Sequence, residues 1–156
     1  MLRHQDRVSV SRDAMAEGLR TASWPARLQR LPASPLTGAR EVWVDGGHNP
    51  SAGEALARHF AEQLEGQRLH LILGMLANKD ARALIDPLAG TIASITVVPV
   101  PGHDHHPASA FGPDAQAAGT VAEALASIPD DGLPVLIAGS LYLAGDVLRL
   151  SGALPD

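Results

Sequence analysis

A three-layer α/β domain, with a mostly parallel sheet flanked by helices on both faces, is what three features of this 156-residue sequence predict. Short apolar runs alternate with stretches of helical period along nearly the whole chain, the pattern of strands joined by crossover helices. Turns rich in glycine, proline or polar residues follow the apolar runs after Asp45, Leu73, Val100 and Ala138. Aromatic residues make up only 3% of a chain that is 46% hydrophobic, so Ala, Leu, Val and Ile must build the core, as suits helices packed on a parallel sheet.

The elements follow in order. Ser11 is a cap for a short helix to Ala22, with Met15 and Leu19 four residues apart, and Trp24-Pro25 halts it. Residues 1–23 thus form a leading arm and 24–156 the domain. A strand is expected over Ala26–Leu31, a turn-rich connection through Pro32, Pro35 and Gly38, and a second strand over Glu41–Asp45. In Asp45-Gly46-Gly47-His48-Asn49-Pro50 the period switches: the glycines permit a tight turn, Asn49 can cap a helix, and Pro50 fits its first position. That helix should run to about Leu64, burying Ala52, Ala55, Leu56, Phe60 and Leu64, and stop near Gly66.

Leu69–Leu73 reads as a buried strand, followed after Gly74 by a loop to Asn78-Lys79-Asp80 and a helix through Leu84 and Leu88 to about Gly90. The β-branched run Ile92–Val98 predicts another central strand, ended by Pro99 and Pro101. A polar loop leads through His106 to an alanine-rich stretch, Pro107–Ala118, expected to be partly helical and interrupted by Gly112-Pro113. Thr120 and Glu123 have capping-box spacing for a helix to Ile128. Pro134–Ala138 is a strand, and Gly139-Ser140 turns it into a closing helix over Leu141–Leu150. Strand-helix alternation with short connections implies right-handed crossovers and a Rossmann-like sheet, with ligands at the carboxyl ends of its strands.

Charge and composition narrow the partners. Net charge is −5, with no block of Lys or Arg, so the electrostatic footprint of a nucleic-acid binder is missing. No apolar run approaches the ~20 residues needed to span a bilayer, and the amino terminus carries no signal-peptide core, so neither nucleic acid nor membrane is expected as a partner. The chain has no cysteine, which excludes disulfides and thiolate metal sites, and the cytoplasm is its default compartment.

The turns hold the candidate chemistry. Asp45 at a strand end, beside exposed backbone N–H groups, can hold a ribose hydroxyl or an ammonium, while the helix start favours an anion. His48 and Asn49 add directional donors or acceptors; equally, Asp45 and Asn49 can serve only the turn and the cap. Arg27 offers a planar fork to phosphate or carboxylate, or is an ordinary surface arginine. Lys79 and Asp80 can pair with each other or aim one charge into a cleft, and Ser140 can be a ligand group or a plain helix cap. His103, Asp104, His105 and His106 are metal-compatible side chains, but residues this close in sequence rarely converge on one centre without a further partner; a solvated loop and no metal site are expected. Neither a Gly-x-Ser-x-Gly elbow nor a G-x-x-x-x-G-K-[ST] phosphate loop occurs in the sequence.

In their order, Trp24-Pro25-Ala26-Arg27-Leu28-Gln29, Asp45-Gly46-Gly47-His48-Asn49-Pro50, Gly74 with Lys79-Asp80, and Gly139-Ser140-Leu141-Tyr142-Leu143 make the chain similar to the carboxy-terminal half of the folylpolyglutamate/dihydrofolate synthases, relatives of the Mur ligases. Those motifs usually read Pro-Gly-Arg and Asp-Gly-Ala-His-Asn-Pro, so Ala26 and Gly47 are departures, both small for small; where the family often has Asp-Lys-Asp this chain has Asn78-Lys79-Asp80. The resemblance implies an ATP-dependent ligase joining L-glutamate to dihydropteroate or a (tetrahydro)folate through an acyl phosphate. It implies that an amino-terminal phosphate-loop ATPase domain, absent from these 156 residues, binds Mg2+ and performs the phosphoryl transfer, so this chain by itself is inactive and holds no catalytic residue. By position it gives Arg27 and Asp45 to ATP, His48 and Asn49 to the cleft between domains, and Lys79, Asp80 and Ser140 to glutamate or the domain interface. The equivalent domain of a muramyl ligase is disfavoured by Gly46-Gly47, where a bulkier residue is expected, and a free-standing binding module is the remaining alternative.

Overall fold

A computed structural model describes residues 9–22 and 24–154; the start of the leading arm, with His4, and Ser23 lie outside the described residues. The elements are α1 (Arg12–Thr21), β1 (Gln29–Arg30), β2 (Val42–Val44), α2 (Pro50–Gln63), β3 (Leu69–Leu73), α3 (Arg82–Leu88), β4 (Ile92–Val97), β5 (Gln116–Ala117), α4 (Val121–Ser127), β6 (Val135–Ala138) and α5 (Leu141–Leu150). A single 3₁₀ turn, Ala108–Phe111, lies between β4 and β5.

The six strands form one sheet in the order β1-β2-β6-β3-β4-β5. Only β1 runs antiparallel to its neighbour, and the β2–β6, β6–β3, β3–β4 and β4–β5 pairs are parallel. Side chains alternate across the central strands, and each face acquires its own apolar layer. On one face Ile72, Val135 and Ile137 pack with Val121, Ala124 and Leu125 of α4 and Leu143, Val147 and Leu148 of α5. On the other, Leu69, Leu71, Leu73 and Leu136 pack with Leu56 and Phe60 of α2 and Leu84, Ile85 and Leu88 of α3. The three-layer expectation holds, with a core almost free of aromatic rings.

This topology decides where a ligand can sit. The helix that follows β2 covers one face, whereas the helix that follows β6, the neighbouring strand, covers the other. Connections leaving adjacent strands in opposite directions open a crevice at the strands' carboxyl ends, the usual ligand position in open α/β sheets.

The caps were legible. Ser11 Oγ accepts the Ala14 N–H, Asn49 Oδ1 that of Ala52, Thr120 Oγ1 that of Glu123, and Ser140 Oγ that of Tyr142. Glu123 completes its capping box differently from the standard pattern, accepting from the Gly119 N–H at 2.8 Å. Helix α2 ends as Glu65 and Gly66 turn left-handed, at φ 48° and 88°.

Three expectations change. The strand over Ala26–Leu31 shrinks to Gln29–Arg30, because Ala26 and Leu28 take left-handed conformations at φ 56° and 44°, which a strand cannot include. The stretch Pro107–Ala118 is helical only over a 3₁₀ turn, which ends at Gly112 (φ 125°) as expected, and beyond it lies the edge strand β5 in place of more helix, with Ala118 N–H bonded to Val97 O. Ala55 of α2 is exposed while Gly53 is buried against α3, where a Cβ would run into the Ala83 carbonyl oxygen. The contact between α2 and α3 is therefore made by glycine, rotating the buried stripe away from Ala55.

Helix α1 buries none of its residues, and Trp24 is 79% exposed. No helix among the described residues is long and apolar enough to cross a membrane.

Candidate functional site

The site is built on the turns after β2, β3 and β6. Asp45 directly follows β2, and its N–H continues the ladder to Ile137 O of β6 at 3.0 Å. Its carboxylate is 6% exposed and bridges two turns: Oδ1 accepts the Gly47 N–H at 2.6 Å and Oδ2 the Leu28 N–H at 2.8 Å. The Gly46 N–H reaches Ala26 O at 2.9 Å, and Gln29 Oε1 accepts the Ala26 N–H at 3.0 Å. These bonds hold Ala26-Arg27-Leu28 in the irregular turn that replaces the expected strand. A left-handed Ala costs on the order of 1 kcal/mol, which explains why glycine is the usual residue of the resembled family at position 26.

Arg27 is carried on that turn, exposed, with Nη1 donating to Ala26 O at 3.0 Å. The Arg27 Nη1 and the Leu141 side chain both close over Gly46, so tightly that a Cβ at position 46 would clash with Leu141. Glycine leaves this space to the two side chains, so that the first residue of α5 and the guanidinium both close over the turn.

His48 Nδ1 lies 3.0 Å from Gly46 O. A carbonyl only accepts, so Nδ1 carries a proton, which in the neutral ring makes Nε2 the acceptor. Asn49 is exposed; its Oδ1 caps α2, and its amide N–H2 has no partner among the described residues.

Gly139, at φ 108°, joins β6 to α5, and any Cβ there would strike Gly74 O and Leu73 Cδ1. This close packing sets Ser140 beside the turn after β3. Ser140 is 3% exposed, and after accepting from Tyr142 N–H its hydroxyl proton remains available.

Of the two arrangements open to Lys79 and Asp80, the mutual ion pair is absent among the described residues. Asp80 Oδ1 instead accepts the Arg82 N–H at 2.9 Å and opens α3, while the Lys79 ammonium is left without a partner there. The loop holding Lys79 is fixed by a contact the sequence did not disclose. Leu76 and His105 form an antiparallel bridge, Ala77 N–H bonds to Asp104 O and His106 N–H to Met75 O, both at 3.0 Å, and His106 Nε2 donates to Lys79 O at 2.7 Å. His106 is thus part of the scaffold of the Lys79 loop and packs edge-on against Phe111. Two residues that sequence reasoning assigned no role, His103 and Tyr142, stack with ring centroids 3.9 Å apart at the same edge. Tyr142 lies within a motif already singled out, but nothing in the spacing of the two residues announces their meeting.

Structure therefore brings Arg27, Asp45, His48 and Asn49 to one strand end, and Lys79, Asp80 and Ser140 to the neighbouring ones. Among the described residues no three His, Asp or Glu side chains gather as a metal-holding group. A larger concavity of about 960 Å³ opens at the opposite edge, lined by Arg30, Arg40, Glu41 and Asp130, but Arg40 is committed there to the Ile128 and Pro129 carbonyls at 2.8 Å.

An open α/β sheet here gathers an arginine, a lysine and several capped turns at the carboxyl ends of its strands, where ligands sit in such folds. The chain belongs to the family of the Mur ligase, glutamate ligase domain, which matches residues 26–153. It is 35% identical over 139 residues to the folylpolyglutamate synthase of Lacticaseibacillus casei, covering 84% of this chain and 30% of that protein. It is 36% identical over 149 residues to a probable bifunctional folylpolyglutamate synthase/dihydropteroate synthase of Halobacterium salinarum, covering 88% of this chain and 17% of that one. A solved structure of Mycobacterium tuberculosis folylpolyglutamate synthase, complexed with ADP and AMPPCP, superposes with a TM-score of 0.73 at 26% identity, over 94% of this chain and 36% of that one. The chain thus spans about a third or less of the length of these relatives.

Proposed function

We propose that this chain is the part of an ATP-dependent ligase that covers ATP and presents L-glutamate for joining to dihydropteroate or a (tetrahydro)folate. The observation that carries the reading is the convergence of Arg27, His48, Asn49, Lys79 and Ser140 on the crevice edge of the sheet. The family's description as a glutamate ligase domain and the nucleotides in the Mycobacterium structure support it.

In this reading a phosphate-loop ATPase domain of the same polypeptide transfers the γ-phosphoryl group to the substrate carboxylate. The glutamate amine then attacks the acyl carbon, the C–N bond forms, and phosphate leaves. Such chemistry depends on positioning and charge stabilisation, which a domain without a general base can provide. Arg27 offsets phosphate charge, and Asp45 meets ribose hydroxyls with the lone pairs left after its two backbone bonds. His48 and Asn49 line the cleft between domains, and Lys79, Asp80 and Ser140 lie at the glutamate side, with Lys79 meeting a carboxylate. In this reading magnesium is held mainly by the ATPase domain. Residues 1–23 form the arm leading from that domain, residues 24–156 are the ligase domain, and the assembly works in the cytoplasm.

Arg27→Ala in the whole polypeptide tests this. A drop in kcat/KM of at least ~10-fold, about 1.4 kcal/mol of transition-state stabilisation, is expected with the fold intact. Wild-type kinetics would return Arg27 to the ordinary surface.

A further inference from the structure

We propose that His103 and Tyr142 form the wall that holds the chain of the incoming amino acid between Lys79 and Ser140. This rests on the glutamate-ligase reading above and adds residues and a shape to it.

Tyr142 stands in the first turn of α5 and is 55% exposed, yet one face of its ring is covered by the His103 imidazole at a centroid distance of 3.9 Å and an interplanar angle of 38°. Neither the Tyr142 hydroxyl nor the His103 ring nitrogens have a hydrogen-bond partner among the described residues. The stack is therefore fixed by its loops and still has its polar atoms to offer. On one side, Tyr142 is tied through its N–H to Ser140 Oγ at 3.1 Å. On the other, His103 belongs to the loop locked to the Lys79 turn by the Leu76–His105 bridge and by His106 Nε2 donating to Lys79 O. The stack thereby bridges the turns after β3 and β6.

Beside it, Leu76, Ala77, Asn78, His103 and Asp104 line a recess of about 260 Å³. That lies just below the ~300–1,000 Å³ of pockets for drug-sized ligands, small for a nucleotide and of a size for an amino acid. Its charges also select. The imidazole of His103 offers a donor to a carboxylate and Asp104 places a negative group in the same lining, with Lys79 next along the turn from Asn78, so a zwitterion is met better than a simple anion.

Steady-state kinetics of the whole polypeptide tests the wall. Tyr142→Ala and His103→Ala should each raise KM for L-glutamate at least ~10-fold while KM for ATP moves less than ~2-fold, and Tyr142→Phe, which keeps the ring, should retain the wild-type value. Unchanged glutamate KM in both alanine variants overturns the proposal. So does a parallel loss in kcat and in KM for ATP, which would mark the stack as merely structural. The two readings separate cleanly: if wild-type polypeptide does not join glutamate, the ligase reading falls and takes the wall with it. If it does, and Arg27→Ala is impaired while Tyr142→Ala is not, only the wall is lost.

Discussion

Asp45 shows how one side chain can serve a ligand edge through the backbone. Its two oxygens close the Gly46-Gly47 turn and the Ala26-Leu28 turn together, at 2.6 and 2.8 Å, and both turns face the crevice. Removing the carboxylate leaves two N–H groups without an acceptor in a poorly solvated place, where each unmade bond costs on the order of 1–3 kcal/mol. Asp45→Ala should therefore lower the unfolding free energy by about 2 kcal/mol or more, measured by urea denaturation. Arg27→Ala, at an exposed site, should stay within about 0.5 kcal/mol of wild type. Equal stabilities for the two variants would show that the carboxylate is not needed to hold the turns. Asp45 thus has a structural task besides any contact with nucleotide, a combination invisible in the motif because Leu28 is 17 residues away.

Among the elements, β3, β4 and the segment before β6 are pinned at the edge opposite the crevice by His70. This buried imidazole has Nδ1 2.7 Å from Ser94 Oγ of β4 and Nε2 3.2 Å from both Asp131 oxygens. The Leu133 backbone N–H holds the Asp131 carboxyl below the usual carboxylate range; desolvation opposes it, and His70 adds to the lowering. A carboxyl whose pKa is lower folded than unfolded contributes stability that is present above the unfolded value and is lost as pH falls through the folded one. Wild type should therefore be more stable than Asp131→Asn at pH 6, and the difference should shrink as pH falls below about 4. Chemical denaturation across that range reads the difference directly, and a constant gap would remove Asp131 from the acid response. Because the latch lies at the amino ends of the parallel strands, it supports the sheet without entering the proposed chemistry.

For the whole molecule, the proposed function implies a division of labour. The sheet supplies a crevice edge with one guanidinium and one unpaired ammonium, an unpacked leading helix, and an exposed Trp24, while the sequence contains no phosphate loop. The pure chain should show no ATP-dependent joining of glutamate to dihydropteroate or tetrahydrofolate. Turnover by it in an assay of ADP release and product formation would sink the claim that half of the site lies elsewhere.

Sequence by itself determined the alternation of strands and helices, the four side-chain caps and the turns that carry Asp45, His48, Asn49, Lys79, Asp80 and Ser140. These are local matters of period, backbone freedom and hydrogen bonds across two or three residues, which a chain states directly. Only the tertiary structure decided that β6 inserts between β2 and β3, that Asp45 reaches back to Leu28, and that the histidine loop pairs with the Lys79 loop and stacks His103 on Tyr142. Each joins residues distant in sequence, so the choice belongs to the packing of both sheet faces. The predicted strand at Ala26–Leu31 failed for the same reason: bonds from Asp45 and Gly46 outweighed the local preference for extension.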